Sequence, residues 1–428
     1  MAHSFTHATD GAPSGGRFSA LKSSDFRTFW IASLVSQCGG WAAQVATSWL
    51  LLEMTNSAFY LGLQGLFLAV PFIASSMVAG AVADRMDRKR LLLITQWGSL
   101  AVSLAQAVMV HMGIIEVWHI YLFSSLSWIC AGFETAARQS LLPNMVQRHQ
   151  IPSAIALYST LHRTTALIGP ALGGLAIAQF GVAGALYSQT IGWALLVWAV
   201  MLMRTVSIPR GGSGPLFLAV KAGFTYARAD RKIAALLAIQ ATASVLVNSG
   251  ALLPIYARDI LQIGPQGLGL LHSVTGAGSL AGMALVIWLG HHGTHGRWIV
   301  FGSTLYPVFL AGFGVSTFLP LSLLMLFLSG LVEMTVGTLR QTVMQLSVND
   351  AYRGRVMSLS SISARGLHPI GNLQSGTLAT LMGAPFALVA SAGLAIGLAV
   401  WIWSRTPEFL SEAGVVRNRP AASRSHLT

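Results

Sequence analysis

Two glutamates lie inside long apolar stretches and are the residues of this sequence best suited to carry a proton. Glu134 and Glu333 are 199 positions apart, and no other acidic residue stands well inside such a stretch. A charged side chain in the middle of a membrane costs about 2.5–3.5 kcal/mol on insertion scales, so each glutamate needs a cationic partner or a hydrated cavity. Reversible protonation is the chemistry that such a group offers.

Arginines at a similar depth supply the predicted partners. Arg163 lies early in the fifth apolar stretch, and Arg365 occupies a similar position in the eleventh. We therefore predict two pairs, Glu134 with Arg163 and Glu333 with Arg365. Two interpretations remain open. In the first, conformational switching separates each pair and lets the buried acid take up a proton, as proton-coupled exchange requires. In the second, each pair is static and holds two helices together.

Two further arginines have a different predicted role. Arg138 and Arg340 each precede a glutamine near the end of an apolar stretch. We expect both to extend toward lipid headgroups, because a long basic side chain in this position keeps its charge in water. Arg138 is also one helical turn from Glu134 and is an alternative partner for it.

Polar and aromatic side chains inside the apolar stretches are candidates for lining a substrate cavity. The alternative for each is contact with a neighbouring helix. The candidates are Gln37, Trp41, Gln44, Gln64, Trp128, Asn248, His272, His368 and Asn372.

The composition requires membrane-spanning elements to position these groups. Of 428 residues, 54% are hydrophobic and only 9% are charged, whereas soluble domains have roughly 25% charged residues. This excludes a soluble enzyme, a disordered chain and a disulfide scaffold. Both cysteines, Cys38 and Cys130, lie in apolar stretches and are expected to be buried as small hydrophobic residues.

Twelve apolar stretches have membrane-spanning length, and each must be helical because hydrocarbon offers no partner for the backbone. They are predicted at about 29–52, 58–81, 91–112, 117–139, 154–178, 182–203, 233–256, 268–290, 298–317, 321–343, 357–381 and 385–404. The predicted fold class is all-α integral membrane, with twelve helices in two pseudo-symmetric six-helix bundles. Pro170 and Pro369 share the 199-residue offset of the two glutamates, which supports an internal repeat.

The segments between the stretches complete the predicted organisation. Residues 1–28 form a polar tail, 29–203 the first bundle, 204–232 a linker, 233–404 the second bundle and 405–428 a second tail. Within the linker, Leu216, Val220 and Phe224 follow each other at four-residue spacing, which is typical of an amphipathic helix on the membrane surface.

Basic residues indicate the orientation. The chain has 26 Lys and Arg against 13 Asp and Glu, and 21 of these basic residues fall in the tails and in every second loop. The other loops carry only Arg258. Short loops rich in Lys and Arg stay in the cytoplasm, so both termini are predicted to be cytoplasmic. The positive charge is thus a signal of topology and does not predict nucleic-acid binding.

Several motifs together suggest a family. Gly80-Ala-Val-Ala-Asp84-Arg85-Met-Asp87-Arg88-Lys89-Arg90 resembles the loop signature G-x-x-x-D-R-x-G-R-R of the major facilitator superfamily, with Asp87 in place of Gly. The fifth stretch contains Gly169-Pro170-Ala-Leu-Gly173-Gly174, which resembles the G-P-x-x-G-G signature of antiporter branches. Stretches around residues 25–27, 36–41, 138–143 and 353–357 are similar to the branch of siderophore exporters and macrolide efflux proteins. The resemblance covers about residues 20–405.

This resemblance implies roles for the motif residues. Asp84, Arg85 and Arg88 would form a latch that holds the two bundles together when the cytoplasmic side is closed. The alternative is a solvated charged loop that only sets the topology. Gly169, Pro170, Gly173 and Gly174 would allow close helix approach and a bend, and Pro369 would act similarly in the second bundle.

The function expected from the resemblance is proton-coupled efflux. A small amphipathic molecule, such as a siderophore or an antibiotic, would leave across the bacterial inner membrane in exchange for protons. An importer or facilitator of the same fold is the first alternative, and an integral-membrane enzyme the second. We expect a monomer in the lipid bilayer with a small-molecule substrate, without a metal or cofactor. No phosphate-binding loop of the G-x-x-x-x-G-K-[ST] type is present in the sequence.

Overall fold

In the computed structural model, residues 18–203, 225, 228, 230–289 and 295–406 are described, and every regular element among them is a helix. The first four long helices are α1 (Ser24–Thr55), α2 (Ala58–Arg85), α3 (Arg88–His111) and α4 (Val117–Leu141). They are followed by a run, Ile151–Leu202, that contains two spans. Gly181 has a φ of 70° and divides the run into α5 (151–180) and α6 (182–202).

The second set of helices is less regular than the sequence predicts. It consists of α7 (Arg231–Leu246), α8 (Gly264–Leu289), α9 (His295–Val315), α10 (Leu319–Ser347), α11 and α12 (Ala384–Arg405). The predicted stretch 233–256 is interrupted, because α7 ends at Leu246 and only short helical turns follow at Leu253–Ile255 and Tyr256–Ile260. Helix α11 consists of two segments, Asp350–Gly366 and His368–Met382.

These breaks also affect which helices satisfy a simple test for spanning a membrane. Within the described ranges, seven helical segments are long and apolar enough to cross, and the α5–α6 run is one of them. The remaining segments include α7 and the two parts of α11, which have 16, 17 and 15 residues. They also include the uninterrupted helices α1 and α4, so a break is not the only reason that a described helix falls outside these seven.

The helices pack as two groups. In the first, α1 packs along the α5–α6 run, α2 against α4, and α3 against α4 and the α5–α6 run. In the second, α10 packs against α8 and α9, and α12 against α9 and α11. The groups meet where α8 contacts the α5–α6 run and where α2 contacts the second segment of α11. Most of the predicted linker 204–232 and of the predicted tails 1–28 and 405–428 lies outside the described residues, so the domain boundaries stay predictions. Within the first predicted tail, Ser19–Lys22 forms a helical turn and α1 already begins at Ser24.

Contacts between the groups gather at one end of the bundle. We call the end that contains the α1–α2 and α7–α8 connections the far end, and the opposite end, where α1 begins and α12 finishes, the terminal end. At the far end, the backbone N–H of Phe59 donates to Thr380 Oγ1 at 2.9 Å. A Cβ on Gly376 would lie 2.5 Å from the Ala58 carbonyl oxygen, so α2 and α11 approach closely there.

Candidate functional site

A cavity of about 490 Å³ lies between the two groups. Residues of α1 and α5 line it on one side, and residues from all the helices α7 to α12 line the rest. Its size is in the range of small-molecule sites. Of the candidates predicted from sequence, it contains Trp41, Gln44, Asn248, His272 and His368, together with Glu333.

The other candidates contact neighbouring helices. Gln37 Oε1 in α1 lies 2.9 Å from His162 Nδ1 and accepts a hydrogen bond from Thr165 Oγ1 at 3.2 Å, so it links α1 to α5. Gln64 is buried in α2. Trp128 packs edge-on against Phe72, with ring centroids 5.5 Å apart.

Asn248 lies just after the end of α7 and stabilises the non-helical backbone there. Its side-chain Oδ1 accepts from the N–H of Gly250 at 3.0 Å, which closes a turn and competes with helix formation. Its Nδ2 donates to Asn372 Oδ1 in α11 at 2.6 Å and lies 3.2 Å from His368 Nδ1. The hydroxyl of Ser375 donates to the Asn248 carbonyl at 3.3 Å. The unwound segment is therefore fixed to α11, and it lines the cavity.

Glu333 is exposed to the cavity, and Arg340, which the sequence predicted at the lipid headgroups, lines the same cavity. Glu333 and Arg340 are both on α10, both line the cavity and interact electrostatically. Arg340 was expected at the headgroups, and this expectation is wrong because its helix face turns toward the cavity. Tyr306 of α9 also interacts with Glu333, and its hydroxyl donates to the Val247 carbonyl at the α7 break at 2.9 Å. The side chain of Arg365 is outside the part of the chain that the structure describes, so the Glu333–Arg365 pair stays a prediction.

Glu134 is 3% exposed and forms an ion pair with Arg138, one turn further along α4. Arg138 also donates to the hydroxyl of Tyr158 in α5. The predicted pair of Glu134 with Arg163 is therefore replaced by the alternative that the one-turn spacing had offered. An i,i+4 partner on the same helix needs no tertiary contact, whereas Arg163 must come from another helix.

Arg163 instead reaches across to the second group. Its Nη1 lies 3.5 Å from Met334 Sδ in α10, and within the described ranges it has no acidic partner. Arg163 thus contacts the residue that follows Glu333. This contact joins α5 of the first group to α10 of the second, where the sequence predicted that Arg163 would pair within its own group.

The Gly169–Gly174 motif allows three close helix contacts. A Cβ on Gly169 would lie 2.7 Å from Trp41 Cβ, and one on Gly173 would lie 2.6 Å from Ala42 Cα, so α5 packs directly on the backbone of α1. A Cβ on Gly174 would lie 2.6 Å from the Pro265 carbonyl oxygen of α8 in the other group. The motif therefore joins α5 to both groups.

Proline has a related position in α11. Pro369 lies in the first turn of the second α11 segment, directly after the break at Leu367. A Cβ on Gly371 would lie 2.4 Å from the Ser244 carbonyl oxygen of α7. In contrast, Pro170 sits inside a continuous helix. The two prolines are thus related by sequence offset, but only Pro369 lies at a helix break.

The α2–α3 loop shows what the unusual Asp87 does. Asp87 is the N-cap of α3, and its Oδ1 accepts from the Arg90 N–H at 2.8 Å. Arg88 is 7% exposed, whereas Arg85 is exposed. The side chain of Asp84 lies outside the described residues, so the latch of Asp84, Arg85 and Arg88 stays a prediction.

Arg258 connects the groups at the far end. Its Nη1 donates to the Leu52 carbonyl at 3.2 Å and to Asn56 Oδ1 at 2.7 Å, both at the C-terminal end of α1. Asp259 orients the guanidinium through contacts of 2.7 and 3.1 Å. The sequence had marked Arg258 only as the single basic residue of its set of loops, and this isolation was the signal for a specific role.

A protein-family model described as transmembrane secretion effector matches residues 15–425, nearly the whole chain. The chain belongs to this family. The predicted resemblance to a secretion branch of the major facilitator superfamily is thereby confirmed.

Curated relatives of this family member are transporters. A staphyloferrin A transporter from Staphylococcus aureus is 25% identical, over 83% of this chain and 89% of its own length. A multidrug efflux pump, Tap, from Mycolicibacterium fortuitum is 23% identical, over 82% of this chain and 88% of its own length. A macrolide efflux protein A from Streptococcus pyogenes is 23% identical, over 88% of this chain and 94% of its own length. The family places the chain among transporters of small molecules and not among enzymes.

Solved structures show the same fold. A bacterial homologue of the human lysosomal transporter Spinster, in an inward-facing and unoccupied conformation, superimposes with a TM-score of 0.73 at 12% identity and covers 94% of this chain. The nucleoside transporter NupG gives a TM-score of 0.70 at 13% identity over 89% of this chain. The chain therefore has the all-helical, multi-pass fold of this transporter class, as predicted.

Proposed function

We propose that this family member exports a small amphipathic molecule across the bacterial cytoplasmic membrane in exchange for protons, by alternating access. The observation that carries the proposal is the cavity between two helix groups that contact each other at the far end. A site between two six-helix halves, exposed to one side at a time, is how such transporters move a substrate.

The orientation follows from the loop charges. Lys and Arg concentrate in the loops and tails of the terminal end, which the positive-inside rule assigns to the cytoplasm. Arg340 lines the cavity seven residues before the end of α10, which is about 10 Å from the terminal end. The cavity would thus take its substrate from the cytoplasm and release it after the far-end contacts open.

Proton coupling is assigned to the two glutamates. Glu134 is almost completely buried beside Arg138, and Glu333 faces the cavity. A carboxylate that changes its surroundings during rocking exchanges a proton with whichever side reaches it. Glu134 is away from the cavity, so a change there tests coupling without altering the substrate site.

The test is transport in proteoliposomes with an imposed pH gradient. The Glu134→Gln and Glu333→Gln variants are compared with Glu53→Gln, which removes an exposed acid near the far end. We expect the Glu53 variant to transport normally, and Glu134→Gln to lose gradient-driven transport while keeping substrate exchange without a gradient. Full gradient-driven transport by both Glu134→Gln and Glu333→Gln would remove these residues from coupling. Uptake into inverted vesicles tests the direction, and its absence would favour an importer.

A further inference from the structure

The cavity contains two opposite charges whose backbone positions α10 holds at a fixed separation. Glu333 and Arg340 are seven residues apart, which in an α-helix is nearly two full turns and about 10 Å along one face. Both side chains line the cavity. In the part of the chain that the structure describes, neither has an ion-pair partner. The cavity therefore has a negative and a positive subsite at different depths.

The broken helix α7 adds to the negative subsite. Its helical segment begins at the terminal end, where Asp230 caps it, and it finishes after 16 residues, at a depth of about 24 Å. Glu333 lies 14 residues before the end of α10, at a depth of about 21 Å from the same end. The C-terminus of a helix carries a partial negative charge of roughly half an electron. This charge and the Glu333 carboxylate thus lie at nearly the same level.

Tyr306 gives a second, geometric link between the end of α7 and the cavity. Its hydroxyl donates to the Val247 carbonyl directly after α7 ends, and its side chain lines the same cavity as Glu333. Trp41 from the first group also lines the cavity, and an indole face attracts organic cations. Carboxylate, helix end and aromatic ring together favour a cationic nitrogen.

Arg340 marks the other subsite, about 10 Å nearer the terminal end. A guanidinium presents a planar set of donors that suits a carboxylate or another anionic oxygen group. Two histidines, His272 and His368, also line the described cavity, and His368 Nδ1 lies 3.2 Å from Asn248 Nδ2 at the α7 break. An imidazole changes its charge near neutral pH, whereas a guanidinium stays charged, so Arg340 is the permanent cation among these lining residues.

We propose that the cavity binds a dipolar organic molecule whose cationic nitrogen lies against Glu333 and the end of α7, and whose anionic oxygen group, about 10 Å away, lies against Arg340. The inference rests on the proposed transport function and specifies its substrate class. A molecule with both charges leaves neither cavity charge uncompensated, whereas a molecule with one charge compensates only one of them.

The experiment measures equilibrium binding to the full-length protein in nanodiscs, without a gradient. The probes are norfloxacin, which carries a piperazinium and a carboxylate on opposite ends of a fused ring, its methyl ester, which keeps only the cation, and its N-acetyl derivative, which keeps only the anion. A flexible zwitterion, 8-aminooctanoate, is the second probe. We expect each single-charge derivative to bind at least about tenfold more weakly than norfloxacin.

Two variants assign the subsites. Glu333→Gln should abolish the preference for norfloxacin over its N-acetyl derivative and keep the preference over the ester. Arg340→Gln should do the reverse. Controls are Glu53→Gln and Arg405→Gln, which remove charges outside the cavity and should change neither ratio. A reciprocal pattern of this kind is not produced by general loss of structure.

The results separate this inference from the proposed function. Equal binding of the three norfloxacin forms, unchanged ratios in both variants, or no binding of either zwitterion up to its solubility limit would each overturn the dipolar site. Pump activity on other substrates, measured with a pH gradient, would then still support the transport proposal. Conversely, binding with the expected ratios but no gradient-driven movement would support the site and refute the pump.

Discussion

Replacing Arg258 by Ala should open the far end of the protein. Arg258 donates two hydrogen bonds from the α7–α8 connection to α1, at 2.7 and 3.2 Å. Hydrogen bonds from a charged donor contribute about 1.5–3 kcal/mol each when buried. The Arg258 side chain is 26% exposed, and its charge is shared with Asp259, so solvent reduces the combined value to about 1–3 kcal/mol. The ratio of closed to open far ends should therefore fall by about 5- to 150-fold.

Double electron–electron resonance measures this ratio. Spin labels are attached through cysteines introduced at Met112 and Leu381, which are 64% and 75% exposed at the far end of α3 and α11. Cys38 and Cys130 are first replaced by alanine. In the Arg258→Ala protein, the population with a long distance between the labels should increase at the expense of the short one.

A matched variant isolates the hydrogen bond to the side chain. Asn56 has a φ of 48°, so Asn56→Gly keeps a residue that tolerates this conformation while it removes the acceptor. Its effect should be smaller than that of Arg258→Ala, and the double variant should resemble Arg258→Ala alone. Identical distance distributions in the wild-type and Arg258→Ala proteins would refute the view that this contact closes the far end.

Three further changes test the structural assignments through the melting temperature of the purified protein. Gly173→Ala should clearly lower the melting temperature, because the new methyl group would lie 2.6 Å from the Ala42 Cα. Gly40→Ala is the control: its methyl group would have no atom within 4 Å, so the melting temperature should stay the same or rise slightly. Equal effects of the two changes would contradict the close α1–α5 packing. Asp87→Ala should lower the free energy of unfolding by about 0.5–2 kcal/mol, because the N-cap of α3 is lost. Asp87→Gly should lower it by only a few tenths of a kcal/mol. An Asp87→Ala protein as stable as the wild type would show that the cap does not contribute to stability. Asn248→Ala should destabilise the protein by about 1–3 kcal/mol, because Asn372 and the Gly250 N–H lose their partner. A wild-type melting temperature for this variant would contradict the described arrangement at the α7 break.

The sequence predicted best the helices that depend only on the residues of their own segment. An apolar stretch of about 20 residues must be helical in a membrane wherever it packs, and most predicted boundaries lie within a few residues of those observed. The break in α7 was missed because the stretch 233–256 was delimited by its apolar character, although Asn248-Ser249-Gly250 consists of turn-forming residues. The local hydrogen bond of Gly250 to Asn248 and the contacts from Asn372, Ser375 and Tyr306, distant in sequence, stabilise the break.

Charge partners were harder to predict than helices. The ion pair of Glu134 with Arg138 depends on one-turn spacing and was available from sequence as an alternative. The location of Arg340 in the cavity, of Arg163 against Met334 and of Arg258 against α1 depends on how helices rotate and which ends meet.

The sequence by itself determined that this protein is a bundle of membrane helices with an internal repeat, since scarce charge and long apolar stretches permit no other backbone structure in lipid. It also determined the family, through motifs at helix junctions. Only the tertiary structure decided which polar groups share the cavity and which join helices. The side chains that meet there come from chain positions hundreds of residues apart, and a rotation of a helix by a fraction of a turn exchanges one set for another.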